Sequence, residues 1–474
     1  LQHYATLREL QHDLHHGHLT CPQVVQHYLE KLHHAQHLNA FLSVYAEEAL
    51  GHAHRIQSKI SEGTAGRLAG LVVGLKDVFS HTGHPLQAAS RILQGFEAQY
   101  NATAVQRLLN EDAIIIGRQN CDEFGMGSAT ENSAFGASVH PLDGTRVPGG
   151  SSGGSAAAVK AGLCRISLGS DTGGSVRQPA AFCGVIGLKP TYGRVSRHGL
   201  VAYASSFDCV GILGTHVEDV ALVLEVIAGN DAHDSTTSRH PVPAYTTYLS
   251  AEIEKPYRIA VVSPAEGVQP EIRNALEQAM EGLQRQGHQL ETVTIPLQEY
   301  VLPAYYILAT AEASSNLSRY DGVRYGYRST QADKLESLYK KTRTEGLGTE
   351  VKRRILLGTF VLSSDYHDAY YRQAQKVRRL IRDKTNEILH RYDFIMTPAT
   401  PTTAFPRGQS GKNPVQDYLA DVFSVQANLC GIPGISLPWG ADANGLPIGI
   451  QVMGRAFEEE KLLRFSDVLL SAHR

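Results

Sequence analysis

Helical and strand-like apolar patterns alternate through the first half of the chain. Val24, Val25, Tyr28, Leu29 and Leu32 fall at helical spacing and make one apolar face. Thr20 and Gln23 fit a capping box ahead of that face, with Pro22 in the first turn. The short apolar run Leu71–Leu75 predicts a buried strand ending at Lys76. A helix over Thr103–Asn110 and a strand over Ala113–Ile116 follow, and strand-like runs recur at Ile166–Leu168 and Val185–Leu188. Continuous apolar strands separated by helices predict an α/β fold with a largely buried sheet.

After about residue 230 the texture changes. A strand at Arg258–Val262, a helix over Glu271–Gln286 and a strand at Leu290–Ile295 resemble an inserted α/β lobe. Long helical stretches are expected over Val301–Tyr320 and Glu350–Arg391. Strands are then expected at Phe394–Met396, Gly434–Leu437 and Ile448–Val452, and a closing helix near Glu458–Leu470. The polar segment Tyr325–Arg354 reads as a solvated helix pair rather than a nucleic-acid groove. The expected organisation is one domain over 1–474, with about 230–345 as a lobe inserted within it. A chain of 474 residues can bury a large core without disulfides or a structural metal.

Composition narrows the class. The formal net charge of -3 argues against a general polyanion binder. Six cysteines show no CxxC pair and read as reduced thiols of a cytosolic protein. No apolar run reaches transmembrane length, so no membrane association is expected. Half of the 22 histidines lie between His3 and His54, with helical pairs at His12/His16 and His33/His37. A polar helix face is preferred to a metal site there, because no Asp, Glu or Cys completes a ligand set at useful spacing.

The candidate chemistry sits in two glycine–serine runs. The first spans Pro148 to Val159 and contains GGSSGGS; the second spans Leu168 to Arg177 and contains DTGGS. Neither has the Gly-Lys-Ser/Thr of a phosphate loop or the spacing of a dinucleotide fingerprint. Consecutive amides of Thr172, Gly173, Gly174 and Ser175 can face one concavity suited to a developing oxyanion. A serine closing such a nest is placed to attack a carbonyl held there. The bland alternative is a glycine-rich turn with a capping serine. The serine needs a base. His140 and His198 flank the runs without a motif, and a buried lysine is the other option: Lys76, with Lys160 and Lys189 as competitors.

Lys76 in Gly-Leu-Lys-Asp, the GGSSGGS run and the DTGGS run together resemble the amidase signature family, over nearly the whole chain. The resemblance implies a mixed, twisted central sheet surrounded by helices and a Ser–Ser–Lys triad. By position it makes Ser175 the nucleophile, Ser151 the bridging serine after a non-proline cis peptide, and Lys76 the base. It also implies oxyanion amides from Thr172, Gly173 and Gly174. Further segments, 130–133, 177–180, 189–196, 312–319 and 351–354, resemble the glutamine-hydrolysing subunits of tRNA-dependent amidotransferases. That likeness implies glutamine contacts at Tyr305, Arg354 and Asp421, with an arginine fork for the α-carboxylate and a carboxylate for the α-ammonium.

The same likeness implies no cofactor or metal in this chain. ATP and magnesium are expected on a partner within a heterotrimer with subunits B and C. Charged tRNA is expected mainly on that partner. The histidine-rich N-terminus and Gly125 depart from the family pattern. A stand-alone amidase for small amides, a non-catalytic scaffold and a nucleic-acid-binding module are the rival readings.

Overall fold

The computed structural model describes residues 4–250, 255–262, 267–410 and 418–473. Eleven strands form one mixed sheet among these residues. In chain order they are β1 (Phe41–Val44), β2 (Val72–Lys76), β3 (Ile114–Gln119), β4 (Ile166–Asp171), β5 (Ile186–Lys189) and β6 (Cys209–Gly214), then β7 (Arg258–Val262), β8 (Gln289–Val293), β9 (Phe394–Pro398), β10 (Gly434–Ala441) and β11 (Pro447–Met453). Their order across the sheet is β1-β3-β2-β4-β6-β5-β10-β11-β9-β7-β8. The triplet β3-β2-β4 is parallel, as is β8-β7-β9, and antiparallel pairs join the two blocks.

The central strands β2, β3, β4 and β6 are buried along their whole length. Burial on both faces is why β2 and the start of β3 read as apolar runs rather than alternating ones. Parallel β2 and β4 end side by side, with Leu75 opposite Leu168. Lys76 therefore lies level with Gly169, two residues before the DTGGS run. Ligands in open α/β sheets gather at the carboxyl ends of parallel strands, and both candidate runs converge there.

Several elements match expectation closely. The capping box at Thr20 and Gln23 starts the helix Cys21–His34, and Thr103–Asn110 is helical as expected. The N-terminal helix Leu7–His15 buries Leu7, Leu10 and Leu14, and its histidines lie on the exposed side. Other elements differ. The helical stretch expected over Glu350–Arg391 is broken into Thr349–Leu362, a π-helical segment His367–Arg372, and Gln373–Arg391. Strands β1 and β6 have no counterpart in the sequence reading. β7 and β8 do not form a sheet of their own; β7 pairs with β9 and extends the common sheet.

All six cysteines are free and buried. No helix among the described residues is long and apolar enough to cross a membrane.

Candidate active site

The buried strand β2 delivers Lys76 to the sheet interior, where its side chain is 0% exposed. Its Nζ contacts three hydroxyls: Ser151 Oγ at 2.7 Å, Ser152 Oγ at 2.9 Å and Ser170 Oγ at 3.0 Å. It has no ion pair with a carboxylate among the described residues. Burial pushes its pKa down, against an opposing pull from Cys121 and the carboxylates of Asp122, Asp171 and Asp208. A charged ammonium here donates to all three hydroxyls. A neutral amine donates to two and can accept from the third, so the cage suits both protonation states.

The competing bases lie elsewhere. Lys189 is equally buried and its pKa is also pushed down by desolvation, but its Nζ donates to Pro190 O at 2.8 Å. Burial alone therefore does not distinguish the two lysines; the serine partners do. His140 Nε2 is held by Phe182 O, and His198 Nδ1 lies against Thr103 Oγ1.

The GGSSGGS run turns sharply into the helix Gly153–Lys160. The peptide between Gly150 and Ser151 is cis. Gly150 is fixed by close approach, because a Cβ there would lie 2.2 Å from Asp122 Oδ2 and 2.7 Å from Ala129 N. Ser152 N donates to Ser175 O at 3.1 Å, which ties the two serine loops together through the backbone. Ser151 is buried and Ser175 is partly exposed, so Ser175 is the member of the set that meets solvent. Ser175 Oγ makes no hydrogen bond among the described residues. The Ser151–Lys76 link is in place, and the Ser175–Ser151 link is not formed in this geometry. Catalytic hydrogen bonds commonly tighten only once substrate is bound.

Asp171 locks the loop that carries Ser175. Its carboxylate accepts from Arg177 Nε at 3.0 Å and Nη2 at 2.9 Å, from Asn428 Nδ2 at 3.0 Å, and from Val176 N at 3.2 Å. Burial alone would raise its pKa. The Arg177 guanidinium and these hydrogen bonds outweigh that and hold the carboxyl well below the usual range. Gly174 N also donates to Asp171 Oδ1, at 2.9 Å. Of the three amides expected at an oxyanion site, Thr172, Gly173 and Gly174, the Gly174 N–H is drawn to the ionised Asp171 in this geometry. The Thr172 side chain is anchored separately, through Oγ1 to Asp208 Oδ1 at 2.7 Å.

The three expected substrate residues line the adjoining wall. Tyr305 is buried on the helix Gln298–Asn316, and a Cβ at Gly173 would meet its ring at 2.4 Å. Arg354 is only 5% exposed, so it is not a surface arginine of a solvated helix pair. Its Nε donates to Glu350 Oε1 at 2.8 Å and its Nη1 to Tyr203 OH at 2.7 Å. Asp421 Oδ2 accepts from Tyr306 OH at 2.9 Å. Burial pushes the Asp421 carboxyl up to about 7, with Tyr306 and Arg354 pulling the other way. A cavity of about 220 Å³ opens beside Arg354, lined also by Ser128, Asn132, Tyr306, Glu350 and Tyr418. Gly125 has φ +74°, which favours glycine, and a Cβ there would sit 3.6 Å from Ser151 Oγ in ordinary contact.

Sequence reasoning missed Ser152 and Ser170 as partners of Lys76, and Asp171 with Arg177 as the clamp on the loop. Both sets lie inside the two runs, adjacent to the residues singled out. It also missed Tyr203, Tyr306 and Glu350, for which no local signal exists.

The chain matches the amidase family over residues 23–463. It is 52% identical over 448 residues to the glutamyl-tRNA(Gln) amidotransferase A subunit of Chlorobium luteolum, covering 94% of this chain and 92% of that one. The crystal structure of the glutamyl-tRNA(Gln) amidotransferase A subunit from Thermotoga maritima superposes with a TM-score of 0.76 at 39% identity, covering 94% and 93% of the two chains. Native peptide amidase from Stenotrophomonas maltophilia superposes with a TM-score of 0.83 at 27% identity, over 100% and 97%. The mixed eleven-stranded sheet, the serine–lysine cage at its centre and these full-length likenesses lead to one assignment: the chain belongs to the amidase family.

Proposed function

We propose that this chain is the glutamine-hydrolysing A subunit of a glutamyl-tRNA(Gln) amidotransferase. One observation carries the reading: a fully buried lysine with hydroxyl partners, beside a glycine-rich nest that ends in a partly exposed serine. Identity of about half to named A subunits selects this function over the fold's other uses.

In the proposed reaction Ser175 Oγ attacks Cδ of the glutamine side-chain amide. Its proton passes to Ser151 as the Ser151 proton passes to neutral Lys76. The amides of Thr172 and Gly173 receive the oxyanion, and the Gly174 amide holds the loop against Asp171. The proton returns through Ser151 to the leaving nitrogen, and ammonia departs. Water, deprotonated by the same relay, then hydrolyses the glutamyl ester of Ser175 and releases glutamate. Arg354 presents a guanidinium to the α-carboxylate, with Glu350 and Tyr203 fixing its plane. Asp421 takes the α-ammonium, and Tyr305 forms the wall beside Gly173.

The ammonia is passed to partner subunits B and C in a cytoplasmic heterotrimer. ATP and magnesium act on the partner, which activates glutamate on tRNA(Gln). This chain's task is to make ammonia.

Peptide amidase shares the fold, so a stand-alone amidase is the second reading. The Arg354–Asp421 pair separates the two, since a general amidase has no need of a fork for a free amino acid. The test is co-expression with B and C subunits and measurement of ammonia released from glutamine, with and without charged tRNA. Release that depends on Ser175 and is raised by partners and charged tRNA supports the proposal. Turnover of unrelated amides at full rate without partners, and none of glutamine, contradicts it.

A further inference from the structure

Outside the serine–lysine cage, three ligand-type side chains meet where the helix after β1 faces the turn after β2. Glu48 sits in the first turn of the helix Ala46–Glu62. His81 and His84 belong to a turn that follows β2, closed by His84 N donating to His81 O at 3.1 Å. One ligand atom from each of the three residues falls within a cluster no wider than 4.8 Å. His84 Nε2 lies 2.9 Å from Glu48 Oε2. The two imidazoles stack with centroids 4.3 Å apart, and the Tyr45 ring stacks on His84 at 3.9 Å.

An ion pair between Glu48 and His84 accounts for part of this arrangement. It leaves His81 unexplained. That residue is only 4% exposed, and its Nδ1 is buried with no hydrogen-bond partner among the described residues. A buried ring nitrogen without a partner is costly unless something satisfies it. We propose that Glu48, His81 and His84 form a binding site for a divalent cation of the zinc class, with solvent completing its shell.

The donor set fits that class. Two imidazoles and one carboxylate suit zinc, and hard cations such as magnesium prefer oxygen shells. Zinc–nitrogen bonds of about 2.0–2.1 Å require the stacked rings to turn toward a common point, which the exposed side of the Glu48–His84 pair allows. The neighbouring charges set the limits. Arg118 opposes a cation, but its Nη1 is paired with Asp77 Oδ1 at 3.3 Å and with Phe79 O at 3.0 Å. His52, one helical turn beyond Glu48 and half-buried, is a further imidazole on the same face. A bound ion clamps the turn after β2 to the helix, outside the residues assigned to glutamine hydrolysis.

The test uses the full chain with His12→Ala and His16→Ala, which removes the exposed N-terminal histidine pair as a competing site. After chelator treatment and dialysis against Zn²⁺, about one equivalent should be retained per chain, and millimolar Mg²⁺ should not displace it. Co²⁺ in its place should give a visible ligand-field band. Glu48→Gln and His84→Ala should each weaken Zn²⁺ binding at least about tenfold and remove the zinc-dependent rise in melting temperature. Both positions are partly exposed, and unchanged melting temperatures without metal will show that the variants fold. Substoichiometric zinc in the parent, or equal affinity in Glu48→Gln and His84→Ala, would overturn the site.

Discussion

The serine–lysine cage and the arginine–aspartate wall stand side by side, but they are built in different ways. The cage is made of backbone geometry and short polar side chains at the ends of β2 and β4. Lys76, Ser151, Ser152 and Ser170 are all buried, with Lys76 Nζ bonded to the three hydroxyls. The wall is made of long side chains from separate helices and a loop: Tyr305, Arg354 and Asp421, steadied by Tyr306, Glu350 and Tyr203. The cage is fixed by the sheet and, in the proposed reaction, holds the reacting groups. The wall is assembled from distant segments and is proposed to fit the substrate. Damage to the first should therefore fall on kcat, and damage to the second on KM.

The largest effect is expected at the cage. Ser175→Ala should abolish ammonia release with the fold intact, as read by circular dichroism and glutaminase assay; full activity in that variant would refute the nucleophile assignment. Lys76→Ala should lower kcat by about 10²–10⁴-fold, the range for loss of a positioned general base. Because burial pushes the Lys76 pKa down, the neutral form gains as pH rises through a value below that of an ordinary lysine. Activity should climb through that limb in the parent enzyme, and the variant should lack the limb. Wild-type rates restored by a modest rise in pH would make Lys76 a positioning group instead.

Next comes the clamp. Arg177→Ala leaves the buried Asp171 without its cation and should cost about 3–5 kcal/mol of stability in denaturant titration. It should also lower kcat, because the nucleophile loop loses its anchor.

The wall should respond differently. Arg354→Lys removes the planar fork and should raise KM for glutamine by roughly tenfold or more, with a smaller change in kcat. Asp421 gives the mildest and most pH-dependent effect. With its carboxyl pushed up to about 7, it gains a proton as pH falls through that value and loses the charge that faces the α-ammonium. KM should then rise on the acid side in the parent and stay flat across the same interval in Asp421→Asn. Identical KM profiles for the two would remove Asp421 from the binding site.

The contrast also explains what could be read in advance. The two glycine–serine runs and the strand ending in Lys76 are contiguous, and their residue types are dictated by backbone needs such as the close approach at Gly150. They are legible for that reason. Burial alone does not choose among the lysines: Lys189 is equally buried. The family resemblance points to Lys76, and the serine partners of its Nζ set it apart from Lys189 in the structure. The hydrogen bond from the Gly174 amide to Asp171 has no sequence signal, because Asp171 is held as an anion by Arg177 and Asn428, and Asn428 lies far along the chain. Tyr203 and Tyr306 carry no local signal, since they act through Arg354 and Asp421, more than a hundred residues away.

Among the strands, β1 is four residues long at the sheet edge, and β6 carries two glycines in CVGILG, so neither presents a strong period. The helical stretch from Glu350 broke beyond Leu362, where Ser363, Ser364 and Asp365 favour local turns over helix.

The most direct test of the central claim is to catch the acyl-enzyme. Acid quenching during glutamine turnover, followed by proteolysis and mass spectrometry, should place a glutamyl ester on the peptide bearing Ser175. Lys76→Ala should sharply reduce its rate of formation. An adduct on Ser151 or Ser152 in the competent enzyme, or steady turnover with Ser175 replaced by alanine, would contradict the account.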